Sequence, residues 1–371
     1  MGLTFGNTSA PNNMTTYLDS VFSSSIANYG KGFTDNIGAQ NAILHDIMKG
    51  GSYKSADGGT YLTEQLMYAL APMDSYSGYD ELSTLPTDGI TQAQFEWRQL
   101  ASPIAYNMLE VLQNQHKIFD LVDARIQQAE LGIQEGWAQA FMWGAYPQGG
   151  ALTTARTSSV NASSSIDPLP RMIAFDPTAS LEIGGLNQST HTWWRNRTAT
   201  SSATTYVAFM SELINMYNLC ALGTGGPPTH ILMDQNTYQL FIAAYFSVFK
   251  TAPGQVGQEY PFVASKFYNA KIVMDDKVPD AYSGTAGTLV GGSVDPTTMT
   301  YGSAYFINTK FMKIRYWPQR DFTLLKDENG KSFAKPINGD SRVGHIGWIG
   351  NVTINNRRKH GVLGKIARTL T

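Results

Sequence analysis

The longest helical pattern in this chain runs from Lys117 to Trp143, and no proline interrupts it. Its apolar residues recur at steps of three and four, which places them on one face of an α-helix. These residues are Phe119, Val122, Ile126, Ala129, Ile133, Trp137 and Ala140. At about 1.5 Å per residue the helix would be roughly 40 Å long, and Gly144 and Pro147 end it. Strand and loop patterns flank it, so we predict that it is the central element of the fold, although a core helix of an α/β enzyme would show the same pattern.

The composition favours a protein that associates with other chains. The 371 residues are enough for two or three structural units, and only 15% of them are charged, against a typical quarter. Aromatic residues are abundant, with 19 tyrosines, 17 phenylalanines and 7 tryptophans, and interfaces are rich in aromatic and poor in charged residues. The single cysteine, Cys220, excludes an intrachain disulfide and a multi-cysteine metal cluster. The sequence contains no apolar run of membrane-spanning length and no secretory signal pattern.

The N-terminal segment is poor in charges, and Ser, Thr, Asn and Gly dominate it. Residues 1–40 contain Asp19, Lys31 and Asp35 as their only charges. Such a segment has little to bury by itself, so we expect it to be extended or disordered unless a neighbour holds it. An arm that lies on another subunit and an unattached tail are the two alternatives.

A long hairpin is predicted in the first third of the chain. Residues 60–70 (TYLTEQLMYAL) and 92–106 (QAQFEWRQLASPIAY) have strand patterns, and a wide polar loop joins them. In the second strand, Phe95 and Trp97 alternate with charged residues. A two-stranded ribbon is barely stable alone in water, so we predict that the hairpin needs a partner surface. A short helix is expected at 107–114.

The second half of the chain predicts an α/β region followed by strands. Residues 171–183 predict a strand, a turn at Asp176 and Pro177, and a second strand, just before the cluster GGLNQSTHTWWRN at 184–196. The next predicted elements are a helix at 203–222, a strand at 229–233, a helix at 235–249 with Asp234 as N-cap, and a strand at 271–274. This alternation indicates helices beside a small sheet. Further strands are predicted at 303–308, 312–317, 322–325 and 345–354.

The sequence has no catalytic signature. It contains no phosphate loop ending in Gly-Lys-Ser/Thr, no His-Glu-x-x-His and no Gly-x-Ser-x-Gly. The six histidines are scattered without metal-ligand spacing, and we interpret His191 as structural. Asp275–Asp276 and Asp327–Glu328 are interpreted as turn residues. We therefore expect no enzyme activity, no catalytic residue, no cofactor and no metal site.

Four features of the chain occur in a familiar order. They are the hairpin ending in ITQAQFEWRQLASPIAY (90–106), the long helix, the stretch GGLNQSTHTWWRN (184–196), and the pair YFINTKFMKI (305–314) and IGNVTINNRRKHGVL (349–363). Together they resemble the major capsid proteins of tailed bacteriophages, whose Hong Kong 97-type fold is shared with encapsulin shells. The hairpin is similar to the extended E-loop of that family, and the resemblance covers nearly the whole chain.

The resemblance implies an α+β fold of the Hong Kong 97 capsid type. The implied parts are an N-arm (1–41), an E-loop region (42–106), a long P-domain helix with linker (107–165), an axial A-domain (166–302) and C-terminal P-domain strands (303–371). The chain has no long charged helical leader, so scaffolding is expected from a separate protein or from a segment removed before this N-terminus. Some relatives join subunits through a Lys–Asn isopeptide bond. Lys54 lies near the hairpin, but no motif matches it to that role, and we assign no such bond.

The implied function is structural. The chain is expected to self-assemble as pentamers and hexamers into an icosahedral virion shell, in the host cytoplasm, around double-stranded DNA that it contacts non-specifically. Portal, scaffolding and decoration proteins are implied partners, and no membrane is. One alternative is an encapsulin-like compartment, which differs in what the shell holds. The other is a monomeric α/β enzyme or binding protein, which a size measurement at low concentration distinguishes.

Five residues are candidates for structural or inter-subunit contacts: Phe95, Trp97, Trp193, Trp194 and Arg195. Large aromatic residues next to a glycine turn are typical of a packed junction. An aromatic ring removes roughly 150–250 Å² from water when it is buried. We therefore predict that Trp193 and Trp194 anchor a domain junction and that at least one of them is buried.

The C-terminal tail is basic. The last 31 residues contain six Lys/Arg and no Asp or Glu, and the rest of the chain has a net charge of −8. Arg357, Arg358 and Lys359 interrupt an apolar pattern, so at least two of them are predicted to project away from the core, whereas Val362 and Leu363 pack towards it. A solvated strand end, a contact with a neighbouring subunit and a phosphate contact with packaged DNA are the alternatives. Of the two functional ones, the acidic rest of the chain favours the subunit contact.

Overall fold

The computed structural model describes residues 47, 51–71, 73–81, 88–113, 121–143, 166–248, 266–275, 277–278, 301–326, 330–336 and 339–370. The predicted N-arm and residues 144–165 of the predicted helix-and-linker segment (107–165) lie outside the described residues. The described chain divides into two compact units. The smaller contains residues 100–135 and 322–348, and the larger contains residues 40–99, 136–321 and 349–371.

The elements of the described chain are as follows. The helices are α1 (Met108–Gln113), α2 (Leu121–Trp143), α3 (Leu169–Met172), α4 (Tyr206–Ala221) and α5 (Gln235–Val248). The strands are β1 (Tyr53–Ser55), β2 (Tyr61–Met67), β3 (Ile90–Glu96), β4 (Arg98–Asn107), β5 (Glu182–Ile183), β6 (Leu186–Asn187), β7 (Arg197–Thr200), β8 (His230–Met233), β9 (Lys266–Phe267), β10 (Ala270–Met274), β11 (Gly302–Ile307), β12 (Met312–Tyr316), β13 (Thr323–Leu324), β14 (Ser341–Ile354) and β15 (Gly361–Ile366). Short 3₁₀ turns lie at Thr192–Trp194, Pro318–Arg320 and Arg357–Lys359.

A six-stranded sheet lies in the larger unit, with strand order β7-β15-β11-β8-β10-β9. Strands β8 and β10 are parallel, and β11 is antiparallel to both β8 and β15. Every residue of β11 is buried. Helices α4 and α5 supply apolar side chains to the same core, which includes Phe209, Leu213, Met216, Phe241, Ala244, Ile231 and Phe306. The prediction of two helices beside a small sheet is confirmed.

Side chains fix where α4 and α5 begin. The hydroxyl of Thr205 accepts a hydrogen bond from the Ala208 amide at 3.2 Å. Asp234 accepts from the Thr237 amide at 3.3 Å and also from the Thr237 hydroxyl. Both contacts satisfy amides that the first helical turn leaves unpaired, so the prediction of Asp234 as an N-cap is confirmed.

The structure differs from the expected segments in two places. Residues Leu169–Met172 form a helix, so the strand predicted before the turn at Asp176 and Pro177 is wrong. Strands β11 and β15 belong to the same sheet as β8 and β10, so the boundary expected at residue 302 falls inside a sheet. Pairing with distant strands decides this placement, and a local sequence pattern does not contain it.

The hairpin is formed by β2 and β3. Its antiparallel register runs from Tyr61 opposite Glu96 to Met67 opposite Ile90. One face is buried, and its side chains are Leu62, Glu64, Leu66, Ala93 and Phe95. The chain passes Trp97 and continues as β4. The predicted hairpin is therefore confirmed, with a break between its second strand and β4.

The long helix is present as α2. The buried residues of its predicted apolar stripe include Ala129, Ile133, Trp137 and Ala140, while Asp123 and Glu130 are exposed. The start of the predicted segment, with Phe119, lies outside the described residues. Of the described helices, none is both long enough and apolar enough to span a membrane.

Strand β14 takes part in both units. In the larger unit its end pairs with β12, from Met312 opposite Ile354 to Tyr316 opposite Gly350, and β12 pairs in parallel with β1. In the smaller unit β14 pairs with β13, with Thr323 opposite Gly347. The strands predicted at 312–317, 322–325 and 345–354 are thus confirmed.

Candidate functional site

A glycine turn organises the candidate site. Strands β5 and β6 pair, with Glu182 opposite Asn187 and Ile183 opposite Leu186. Gly184 and Gly185 form the turn between them with φ of +62° and +74°. This left-handed region costs other residues roughly 1–2 kcal/mol, so the turn favours glycine at both positions.

The base of the hairpin packs directly on this turn. The Gln94 amide donates to the Gly184 carbonyl at 2.9 Å. A Cβ atom on Gly184 would lie 2.8 Å from the Cβ of Ala93 and 3.1 Å from the ring of Phe95. Gly185 has nothing within 4 Å of such an atom. The two glycines therefore differ: both allow the turn, and Gly184 also allows β3 to approach it.

The two tryptophans after the turn have different environments. Trp194 is 1% exposed, and its indole nitrogen donates to the Ile183 carbonyl at 3.0 Å. Trp193 is half-buried and stacks on Tyr68 of the hairpin, with ring centroids 5.3 Å apart. The prediction that at least one of the two is buried is confirmed.

The remaining predicted contact residues also make contacts within the chain. Arg195 donates to the carbonyls of Gln188 and Ser189, both at 2.8 Å, which closes the loop before the tryptophans. The indole nitrogen of Trp97 donates to the Gly59 carbonyl at 2.8 Å. Phe95 is buried. All five candidates therefore help to hold the hairpin or the turn.

The side chain of Arg357 joins the tail to this region. Its Nε donates to the Met172 carbonyl at 2.9 Å. Its Nη1 donates to Gln188 Oε1 at 3.0 Å and to the Trp194 carbonyl at 2.9 Å, and its Nη2 donates to Asn196 Oδ1 at 2.9 Å. The guanidinium carbon also lies 5.9 Å from the ring centroid of Trp194. One side chain thus connects α3, the loop after the glycine turn and the start of β7.

The acceptors of Arg357 are neutral. Carbonyl and amide oxygens surround the guanidinium, and no carboxylate is among its described hydrogen-bond partners. Burial lowers the pKa of Arg357 to about 9, which leaves it charged at pH 7. A buried charge is tolerated only where oriented dipoles replace its hydration, so these acceptors and the arginine require one another. We call residues 184–196, Ala93–Phe95 and Arg357 the junction.

The prediction that at least two of Arg357, Arg358 and Lys359 project away from the core is wrong. Arg357 is 1% exposed and Lys359 is 2% exposed, and Arg358 alone of the three is exposed. Val362 and Leu363 are fully buried, as predicted. The error has a physical cause: three consecutive basic residues that interrupt an apolar pattern predict outward side chains, but the first and third residues of the 3₁₀ turn are buried.

Lys359 caps a helix. Its ammonium donates to the carbonyls of Ala221, Leu222 and Gly223 at 3.2, 2.8 and 3.0 Å. These carbonyls lie at the C-terminal end of α4, where the helix leaves carbonyls unpaired and carries partial negative charge. The cation therefore contributes to the fold of its own chain.

Sequence reasoning did not find the ion pair that holds the hairpin to the strands below it. Glu64 of β2 is buried and points inward. It accepts from Arg315 Nη2 at 2.9 Å and from the Thr353 hydroxyl at 3.1 Å, and Lys313 Nζ lies 3.5 Å away. One sequence signal could have indicated this ion pair. In the alternating pattern of β2, Glu64 occupies an inward position between Leu62 and Leu66.

Asn351 makes a second connection that was not predicted. Its side chain donates to the Glu96 carbonyl at 2.8 Å and to Asp167 Oδ2 at 2.9 Å. The Asp167 amide donates back to Asn351 Oδ1 at 3.0 Å. Burial raises the pKa of Asp167. The base of the hairpin is thus tied to β14 by a buried polar network.

The far end of the hairpin is exposed. We call residues 69–81 the tip; residue 72 and residues 82–87 lie outside the described part. Leu70, Met73, Tyr76 and Tyr79 are 81%, 90%, 66% and 102% exposed. The described part of the chain leaves these four large apolar side chains of one short segment exposed, and exposed apolar patches are typical of interaction sites.

The described residues offer little for catalysis. No group of three or more His, Cys, Asp or Glu side chains in the described part of the chain could hold a metal ion. The ring of His191 packs against Trp193, with centroids 5.6 Å apart. Burial raises the pKa of the Cys220 thiol to about 12, so this thiol is a poor nucleophile. The contacts of the site fix the base of the hairpin, and the tip of the hairpin is exposed.

Solved structures with the same fold include phage capsids and an encapsulin. The "Cyanophage A-1(L) capsid asymmetric unit" matches with a TM-score of 0.63 at 11% identity, over 92% of this chain and 97% of that one. The "Capsid of native GTA particle" matches with a TM-score of 0.55 at 10% identity, over 98% of this chain and 100% of that one. The SrpI encapsulin complex from Synechococcus elongatus matches with a TM-score of 0.52 at 9% identity, over 97% of each chain.

No family model and no curated protein sequence matches this chain. The structural likeness extends over nearly the full length of each chain although identity is about one residue in ten. The chain therefore has the Hong Kong 97-type capsid fold, and the α+β fold implied by the sequence resemblance is confirmed.

Proposed function

We propose that this chain is the major capsid protein of a tailed bacteriophage. It assembles as pentamers and hexamers into an icosahedral shell around double-stranded DNA. The observation that carries the proposal is the hairpin: its base is fixed within the chain, and its tip exposes Leu70, Met73, Tyr76 and Tyr79. A hairpin built in this way extends apolar side chains to a neighbour, and the fold is one found in shells.

Assembly on this model is driven by many small apolar contacts. Burying one large apolar side chain contributes roughly 1.5–3 kcal/mol. A single tip contact is weak, but a closed shell repeats it in every subunit, so the contacts add through multivalency. The role is structural rather than catalytic, since the residues of the site hold the chain in shape.

Most cations of the basic tail have partners within the chain. Arg357 and Lys359 are used within the chain, and Arg368 donates to Asp234 at 2.7 Å. Arg342 and Arg358 remain exposed. Lys365 is half-buried, and its ammonium lies 5.9 Å from the ring centroid of Tyr301. Non-specific phosphate contact by the tail is therefore expected mainly from Arg342 and Arg358. Separate portal, scaffolding and decoration proteins complete the virion in this proposal, which places assembly in the host cytoplasm.

Purification of the full chain and electron microscopy test the proposal. Closed particles are expected at high protein concentration. Sedimentation as a monomer at every concentration would instead favour an enzyme or binding protein. Deleting residues 74–88 should leave a folded subunit, judged by circular dichroism, that forms no stable particles. A control that replaces Ser75 and Ser77 by glycine keeps the apolar side chains and should still assemble.

The second candidate function is an encapsulin-like compartment, because an encapsulin complex shares the fold over 97% of each chain. The contents of the particle decide between the two. Particles from the natural source should protect double-stranded DNA from nuclease if the chain is a capsid protein. Particles that hold a protein cargo and no nucleic acid would support the compartment.

A further inference from the structure

Helix α1 buries its charged residue and exposes its apolar residues, the reverse of an ordinary amphipathic helix. Its sequence is MLEVLQ, and the buried residue is Glu110. Met108, Leu109, Val111 and Leu112 are exposed, with Leu109 at 57% and Leu112 at 64%. At about 100° per residue these four occupy an arc of roughly 160°, and the glutamate lies on the opposite side. The helix therefore turns its charge inward and its apolar face outward.

The buried side chain of α1 has partners in its own unit. Glu110 Oε2 lies 2.8 Å from Arg125 Nη1 of α2 and accepts from the Asn107 amide at 3.1 Å. Arg125 also donates to the Ala105 carbonyl. The carboxylate and the guanidinium neutralise one another and fix the orientation of the helix. The outward position of the apolar residues is thus built in and does not result from a loosely attached helix.

The chemistry of the outward face restricts its partner. The face carries no charge, because Glu110 is the only charged residue of α1 and it is buried. A partner must therefore be apolar and uncharged where it touches α1. Four side chains are also too few for a stable interface between two chains, which buries roughly 800 Å² on each partner. A contact of this size is effective only when an assembly repeats it.

We propose that the apolar face of α1 docks on a second copy of this chain in the assembled shell. This inference rests on the proposed shell function. Every subunit carries the face, so it must be covered at one partner surface per subunit, and in a shell of one protein another copy supplies that surface. The face adds a contact site in the smaller unit, separate in sequence from the hairpin tip.

Site-specific photo-crosslinking tests the inference. The variant Leu109→Cys carries one accessible thiol, because Cys220 is buried and burial raises the pKa of its thiol to about 12. The thiol is labelled with benzophenone maleimide, and the protein is irradiated as assembled particles and as unassembled subunits. A product with the mass of two chains on a denaturing gel, in particles alone, is the expected result. A product of single-chain mass in particles, which a segment such as 1–46 of the same chain would give, overturns it.

A charge substitution provides an independent readout. Leu112→Asp should raise the protein concentration needed for assembly at least about tenfold, because a charge would be buried against an apolar partner. Gln113→Asp is the matched control, since it places the same charge at the neighbouring exposed position outside the apolar arc, and it should change that concentration by less than about threefold. Equal assembly of wild type and Leu112→Asp overturns the inference and leaves the shell function standing. Failure of the wild-type chain to assemble, both alone and with a scaffolding protein, would instead reject the proposed function.

Discussion

The junction lies at the base of the hairpin and the tip lies at its far end. The two regions have opposite properties. At the junction, the charged side chain of Arg357 is buried, and its described hydrogen-bond acceptors are all neutral. At the tip, large apolar side chains are exposed. Both arrangements cost free energy in a monomer. Water solvates a charged guanidinium better than the protein interior does, whereas exposure to water is unfavourable for apolar side chains.

The difference teaches where each region obtains its stability. The junction is completed within one chain, because Gln188, Asn196 and two carbonyls replace the water around Arg357. The tip has no such completion in the described chain. Changes at the junction should therefore alter the stability of the subunit, and changes at the tip should alter assembly. The predictions below test that separation, from the largest expected effect on folding to the smallest.

The largest effect is expected at Arg357. Arg357→Leu removes the donor to three segments and leaves buried oxygens unpaired, so we expect a loss of about 3–5 kcal/mol in the free energy of unfolding. Chemical denaturation of the unassembled subunit measures it. Arg358→Leu is the control, because that side chain is exposed, and it should change stability by less than about 0.5 kcal/mol. Equal effects of the two substitutions would mean that the buried network contributes nothing to stability.

The two glycines of the turn should differ. Gly184→Ala must accommodate a positive φ and a Cβ atom 2.8 Å from Ala93, so we expect a loss of about 2–4 kcal/mol. Gly185→Ala has the backbone strain without the clash and should lose only about 1–2 kcal/mol. In Gly184→Ala, hydrogen exchange in β3 should also be faster, because the new Cβ atom displaces β3 from the turn. A larger effect at Gly185 would contradict the packing of the hairpin on Gly184.

The next effect depends on pH and arises at His360, beside the junction. The ring is fully buried, and its Nδ1 accepts from the Asn308 amide at 3.2 Å. Burial and then the charge of Arg357 lower the pKa of His360 to about 3, from an ordinary value of 6.5. Between those values the unfolded chain binds the extra proton. Stability from this residue is therefore complete above about pH 6.5 and declines, by up to roughly 1.4 kcal/mol per pH unit, as the pH falls towards 3.

Unfolding measured at pH 7 and pH 5 checks this sign. The expected loss from His360 over that interval is about 2 kcal/mol. His360→Gln should reduce the slope of stability against pH even if it lowers stability at every pH. The control His345→Gln removes an exposed histidine and should keep the slope of the wild type. An unchanged slope in His360→Gln would show that the ring is protonated in the folded state.

Much of the fold was predictable because its signals are local. The hairpin, α2, α4 and α5 all have a periodic apolar pattern, and Asp234 sits where a helix needs an acceptor. The glycine cluster predicted a tight turn, and the adjacent aromatic pair predicted a buried anchor. Each single strand, helix or turn signal is visible within a window of about 20 residues or fewer, because period and capping are local.

The rest depends on contacts between distant segments. Arg357 and Gln188 are 169 positions apart, and Glu64 and Arg315 are 251 apart. Nothing near Arg357 in the sequence indicates that neutral oxygens will surround it, so the basic run predicted side chains that project away from the core. The placement of β11 and β15 in one sheet with β8 is likewise a long-range pairing. A buried cation without a carboxylate partner is the feature that local patterns are least able to predict.

The smallest effect on folding is expected at the tip, where the effect on assembly should be the largest. The triple variant Leu70→Ser, Met73→Ser and Tyr79→Ser changes side chains that are 81%, 90% and 102% exposed. Exposed positions of this kind usually change stability by less than about 0.5 kcal/mol each. If a neighbour covers them in the shell, each lost contact is worth roughly 1.5–3 kcal/mol, so the concentration needed for assembly should rise by more than about tenfold.

Val207→Ser is the control for the tip variant, because Val207 is an exposed apolar residue on α4 at 65%. Light scattering across a concentration series measures assembly, and denaturation measures folding. A triple variant that unfolds more easily would mean that the tip contributes to the subunit itself. One that assembles as readily as Val207→Ser would mean that exposed apolar surface at the tip is not an interface. Unchanged folding with impaired assembly is the result that supports the separate roles of junction and tip. It would mean that the hairpin is stabilised at its base by its own chain and at its tip by another chain.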